Sequence, residues 1–218
     1  CLAYHKATKF HEVVCLLTVR SNNPESYMFH TPAINWTHLQ AEALGVPLLI
    51  QNTDGEKEKE LDDMEALMME AVDQYGIQGI VTGAVASVYQ ATRVQRICAK
   101  LGLWCFNPLW QYPQRALLKE LLQDEFQVMV VGVAAEPLGE DWLGRCLDKA
   151  AIDELLVMEQ KWGINPAGEG GELETFVIDA PLFGRHLSVE SSCKHYKVDS
   201  GYLEIKAAWL ECPASCFL

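Results

Sequence analysis

The chain alternates short apolar runs with longer stretches of helical periodicity. His11 to Val19 carries Val13, Val14, Leu16, Leu17 and Val19 close together, which predicts a buried strand. Arg20 to Thr31 is polar and predicts a loop. Pro32 then opens a helix that Gly45 closes, and Val46 to Ile50 predicts a second strand. From Lys57 to Tyr75, Leu61, Met64, Met68, Ala71, Val72 and Tyr75 fall on one stripe of a long helix. Ile77 to Thr82 reads as a third strand ending at Gly83. A helix beginning at Ser87 runs to Gly102, and Leu103 to Phe106 is a short strand. Pro113 to Asp124 is a helix and Phe126 to Ala135 a buried strand.

Strands alternating with helices in this way predict a parallel α/β sheet. After Pro137 the texture changes. One helix, Asp148 to Trp162, is followed by strand-like runs at Glu174–Asp179, His186–Glu190 and Tyr202–Cys212. The pattern therefore predicts an α/β domain over 1–124 and a smaller mixed α+β domain over 125–218.

Composition narrows the class. Half of the 218 residues are hydrophobic and 22% are charged, as in a globular domain. The formal charge of −13 argues against a broad nucleic-acid surface, because phosphate backbones would be repelled. The eight cysteines form no Cys-x-x-Cys pair and show no zinc spacing with histidine. They fit a reducing cytosol, and no apolar run reaches the roughly 20 residues needed to span a bilayer. We expect a cytoplasmic protein with no membrane segment and no dedicated metal site. A homo-oligomeric state is left open.

Two segments carry candidate chemistry. Between Ala167 and Phe183, three glycines (Gly168, Gly170, Gly171) and three glutamates (Glu169, Glu172, Glu174) directly precede an apolar run that begins at Thr175. Glycine lets the backbone approach a ligand, and the glutamates offer acceptors to a cation or a proton. No basic residue lies between Lys161 and Arg185, so the segment should attract positive charge. The plain alternative is a solvated hairpin loop. The second segment is the Gly83 turn with Ser87, Tyr89, Gln90 and Arg93 just beyond it. In an open α/β sheet, ligands bind at the carboxyl ends of the strands, so this turn is placed to meet one. By spacing alone, Arg93 is an ordinary salt-bridge residue.

The run GEGGELETFVIDAPLF (168–183) resembles the signature of the diphthine–ammonia ligases, a branch of the PP-loop ATP pyrophosphatases. Ser26-Tyr27-Met28-Phe29-His30-Thr31, Gly55 to Glu60, Gly79 to Val94, Leu109-Trp110 and Trp142 to Arg145 resemble the family's other blocks in order, so the likeness covers almost the whole chain. One departure concerns the start. The family opens with a strand and a Ser-Gly-Gly-Lys-Asp-Ser loop, whereas this sequence opens at Cys1 inside a predicted helix. The resemblance places such a nucleotide loop upstream of Cys1.

The family likeness implies a Rossmann-like parallel sheet of the PP-loop type followed by the α+β domain. It further implies ATP-dependent amidation of diphthine to diphthamide on elongation factor 2 with ammonium as nitrogen source. The route is an acyl-adenylate, with release of AMP and pyrophosphate. ATP and Mg2+ are the implied cofactors. His30, Gly83, Ser87, Tyr89, Gln90 and Arg93 become nucleotide candidates. Glu169, Glu172 and Glu174 become catalytic candidates, with Gly168, Gly170, Gly171 and Thr175 binding the acceptor. The two blocks are expected to face one another. The alternatives are a PP-loop enzyme that adenylates another acceptor and a non-catalytic ATP-binding protein.

Overall fold

The computed structural model describes residues 1–21, 33–56 and 58–211, so His30, Cys212 and Cys216 lie outside the described residues. The chain divides into two compact units, Cys1–Gln111 and Tyr112–Leu218.

In the first unit, helix α1 (Leu2–Ala7) precedes strand β1 (Leu16–Ser21). Helix α2 (Thr37–Leu44) leads to β2 (Leu48–Thr53), and α3 (Glu60–Tyr75) to β3 (Gly79–Val81). Helix α4 (Val88–Leu101) leads to β4 (Trp104–Phe106). The expected parallel pairing is present: β1 pairs with β2 and β3 with β4. These are two separate ladders rather than one continuous sheet. A cavity of about 830 Å³, lined in part by Leu17, Val19, Met64, Leu67 and Ile80, lies against β1, β3 and Trp104 of β4. Met64, Met68 and Ala71 of the helix stripe read from the sequence are buried, joined by Leu67, which that stripe left out. Met64, Leu67 and Met68 of α3 meet Val19, Ile80 and, from α4, Val94, Ile97 and Cys98. Cys98 is therefore a buried core thiol.

The second unit begins earlier than the sequence reading placed it. Helix α5 (Gln114–Gln123), assigned there to the first domain, lies in this unit. The reason is its pairing: Arg115 forms a 2.9 Å ion pair with Glu159 of α6 (Lys149–Trp162), and Gln114 bonds to Asn165 just beyond that helix. Strand β5 (Gln127–Ala134) also departs from the expected parallel sheet. It pairs antiparallel with β6 (Leu173–Asp179) and β8 (Ser200–Leu210), and β7 (Leu187–Lys197) completes a sheet ordered β6-β5-β8-β7. Neighbouring Val130 and Val131 are both fully buried, so both faces of β5 are covered. A strand buried on both faces reads as a continuous apolar run whichever way its partners point.

Candidate functional site

The glycine–glutamate loop of the second unit is wrapped around one of its own carboxylates. Glu172 Oε1 accepts from the Asn165 backbone N–H at 3.0 Å and from Asn165 Nδ2 at 2.8 Å. Its Oε2 accepts from the Gly170 N–H at 2.9 Å. Burial opposes ionisation of Glu172, but the hydrogen bonds from Asn165 and Gly170 outweigh it and hold its pKa below the usual carboxylate value. Glycine is required on geometric grounds at Gly168, and Gly170 sits against the ends of two side chains. Gly168 has φ +79°, and a Cβ there would sit 2.3 Å from the Leu173 carbonyl oxygen. A Cβ at Gly170 would meet Glu172 Oε1 at 2.6 Å and Asn165 Nδ2 at 2.7 Å. Turn bonds from Gly168 N–H to the Asn165 carbonyl and from Gly171 N–H to the Gly168 carbonyl, both 2.9 Å, complete the loop.

The three glutamates thus hold different stations. Glu172 is spent on the fold of its own loop. Glu169 is half-buried between Gly168 and Gly170. Glu174 lies on β6 opposite Gly132 of β5, beside a register shift between Val130 and Gly132. A Cβ at Gly132 would stand 3.0 Å from the Cβ of Glu174 and 3.7 Å from its carboxyl carbon, so the glutamate side chain lies across a bare stretch of backbone. One of its carboxylate oxygens is buried. Bulges and strand glycines recur where a side chain is re-aimed or another group comes close. Thr175 is exposed. Asp179 closes the strand: its Oδ1 accepts from the Ala180 N–H at 2.9 Å and its Oδ2 lies 3.5 Å from His186 Nδ1.

In the first unit, the turn after β3 is pinned to the segment after β4. The Thr82 hydroxyl bonds to Asn107 Oδ1, and the Gln111 N–H donates to the Val85 carbonyl at 2.7 Å. Gly83 is exposed, and a Cβ there would touch only the Ala3 methyl, at 3.9 Å. Ser87 caps α4, its Oγ accepting from the Gln90 N–H at 3.3 Å. Arg93 lies nearly two turns along. Its guanidinium carbon stands 3.4 Å from the centroid of the Tyr89 ring, and it is paired with Glu58 through Nε, at 3.2 Å, and NH2. Tyr89 and Glu58 therefore pre-orient Arg93, and Glu58 neutralises it. Gly83, Ser87, Tyr89, Gln90 and Arg93 are gathered on one turn and the first helical turns after it. The glycine–glutamate loop stands in the other unit.

Residues 1–105 match the family model of the diphthamide synthase N-terminal domain, and residues 113–210 match that of the diphthamide synthase C-terminal domain. The chain is 33% identical over 201 residues to a protein of Homo sapiens named diphthine–ammonia ligase, covering 84% of this chain and 75% of that one. This chain belongs to the diphthamide synthase family. The likeness extends to the diphthine–ammonia ligases of Danio rerio, 31% identical over 200 residues, and of Schizosaccharomyces pombe, 30% identical over 221. The first alignment covers 84% of this chain and 78% of the fish protein; the second covers 93% and 36% of the yeast one.

Sequence reasoning missed Gly132, Gln114, Asn165, Thr82 and Asn107. Only Gly132 left a local signal, as a lone glycine inside the β-branched run Val130-Val131-Gly132-Val133. The Trp142–Arg145 block quoted for the resemblance proves to be a bracket: Arg145 grips Glu154 through two bonds of 2.8 and 2.6 Å and lies 4.6 Å from the buried Trp142 ring. Among the described residues, no three or more His, Cys, Asp and Glu side chains cluster to hold a metal ion. No helix among them is long and apolar enough to cross a membrane.

Proposed function

We propose that this protein is an ATP-dependent, AMP-forming ligase that amidates diphthine to diphthamide on translation elongation factor 2, in the cytoplasm. The carrying observation is the glycine–glutamate loop, in which three N–H groups lock Glu172 into the fold; the chemistry is assigned to Glu169, at the centre of that loop, and Glu174, on the strand it leads into. Family membership supports the amide-forming class, and the first unit supports an ATP site on a Rossmann-like sheet of the PP-loop type. A bare turn at the end of β3, a hydroxyl at the start of α4 and a guanidinium nearly two turns further form a donor set that fits a polyphosphate. Gly83 gives the phosphates close approach, Ser87 donates its hydroxyl, Gln90 offers an amide, and Arg93 exchanges Glu58 for phosphate. Mg2+ would arrive on the triphosphate.

The chemistry demands an activated carboxylate. The diphthine carboxylate oxygen displaces pyrophosphate from ATP and forms an acyl-adenylate; ammonia then attacks the carbonyl, and AMP leaves with the new amide in place. Ammonium must lose a proton first, and one of Glu169 and Glu174 accepts it while the other offsets the trimethylammonium charge. Gly168, Gly170, Gly171 and Thr175 shape the acceptor side.

Full-length protein with ATP, Mg2+, ammonium and diphthine-bearing elongation factor should form AMP, pyrophosphate and amide in equal amounts. Glu169→Gln or Glu174→Gln should lower amidation about a hundredfold or more while leaving ATP affinity intact. Release of ADP and phosphate, or AMP formation only with a different acceptor, would remove this assignment in favour of an acyl-phosphate route or another PP-loop reaction.

A further inference from the structure

Gln114, the first residue of α5, uses both ends of its side-chain amide on the glycine–glutamate loop. Its Oε1 accepts from the Ala167 N–H at 3.0 Å, and its Nε2 donates to Asn165 Oδ1, also at 3.0 Å. Asn165 passes the contact on, since its Nδ2 donates to Glu172 Oε1. The direction of every bond in this relay is fixed at its ends. A backbone N–H can only donate, so Gln114 must turn its oxygen to Ala167 and its nitrogen to Asn165. An ionised carboxylate can only accept, so Asn165 must turn its nitrogen to Glu172. The two amides agree without either being flipped. The path is Ala167 N–H, Gln114, Asn165, Glu172, Gly170 N–H. It starts on one side of Glu169 and ends on the other.

We propose that Gln114 is a positioning residue for the amide-forming reaction: through Asn165 and Glu172 it fixes the backbone on both sides of Glu169. The proposal rests on the functional reading above. Gln114 touches no reacting atom; its effect is on where the Glu169 carboxylate stands when ammonium and the acceptor arrive. A relay of polar side chains holds a loop in one register only while every member is satisfied.

Gln114→Leu in the full-length protein removes both bonds and keeps a good helix former at that position. Amidation kcat should fall roughly tenfold to a hundredfold, the range seen when a catalytic group is displaced by about 1 Å. KM for ATP should stay within twofold, and the melting curve should keep its cooperativity. Amide hydrogen exchange at Ala167 and Gly170 should speed up. Gln114→Glu keeps the acceptor for Ala167 but not the donor for Asn165; its kcat should fall between wild type and Gln114→Leu, and it carries the test if Gln114→Leu does not fold. Faster exchange with an unchanged kcat would overturn the proposal, as would an equal loss in kcat and in ATP affinity. An active Gln114→Leu chain with unaltered exchange at Gly170 would strike the relay alone. A wild-type chain that fails to amidate diphthine would strike the functional reading and this role with it.

Discussion

The two candidate turns hold their charged groups in opposite ways. In the first unit, Arg93 is held by Glu58, whose side chain is 52% exposed, and by one aromatic face. That grip is open to water and exchangeable, and exposed ion pairs contribute little stability. In the second unit, Glu172 is held by three N–H donors and by a relay reaching α5. The first arrangement suits a residue that must release one partner to take another. The second suits a group that must never move. An arginine drawn as paired is thus a better ligand candidate than a glutamate drawn as paired, because only the arginine can change partners at low cost.

The sharpest way to break the comparison is to attack the fixed turn. Gly168→Ala drives a methyl group towards the Leu173 carbonyl in a left-handed backbone and should lower stability by roughly 1–3 kcal/mol, read from urea unfolding. Wild-type stability would show that the turn is pliable and the contrast with the first unit mistaken. A gentler probe is Glu172→Gln. The pKa of Glu172 is depressed in the folded state, so its contribution is complete above the ordinary carboxylate pKa of about 4.3 and is lost as pH falls through the lower folded value. At neutral pH the variant should be less stable by about 1–3 kcal/mol. That gap should close as the solution is acidified through the carboxylate range. A gap independent of pH would mean that shape rather than charge holds the loop. The smallest effect is expected at the exchangeable pair. Glu58→Gln should leave stability within about 0.5 kcal/mol, since it removes one exposed charge, and should tighten ATP binding measured by calorimetry. Weaker binding would make Glu58 part of the nucleotide site rather than a stand-in for phosphate.

Much of this architecture was legible in the residues. The stripe of α3, the short parallel strands and the Ser87 cap follow from periodicity and capping chemistry alone. The hairpin β7–β8 was legible only in part: the run His186–Glu190 marks the start of β7 and the run from Tyr202 most of β8, but the rest of β7 and the turn were not read. Glu190 to Lys197 is polar and lies largely exposed, so the apolar alternation that marks a strand is missing there, and the two-residue turn Val198-Asp199 places Val198, a residue with no turn preference, at φ 62°. The glycine–glutamate loop was legible as a site, but the division of labour inside it was not. Glu169, Glu172 and Glu174 carry the same chemistry in sequence. What separates them is Asn165, Gln114 and Gly132, which lie 4, 55 and 37 positions from the nearest of the three and are brought in by tertiary pairing.

Gly132 also sets a rule for how this protein can change over generations. In an antiparallel strand buried on both faces, valine would serve the sheet better than glycine, and a search for stabilising replacements would nominate this position early. A side chain there would press on Glu174 at 3.0 Å. The contact is with the Cβ and Cγ of Glu174, so a side chain here requires that glutamate to give by a few tenths of an ångström. Descendants that fill the position should carry a displaced Glu174, so that a strand residue with no side chain of its own bears on where the carboxylate across from it stands.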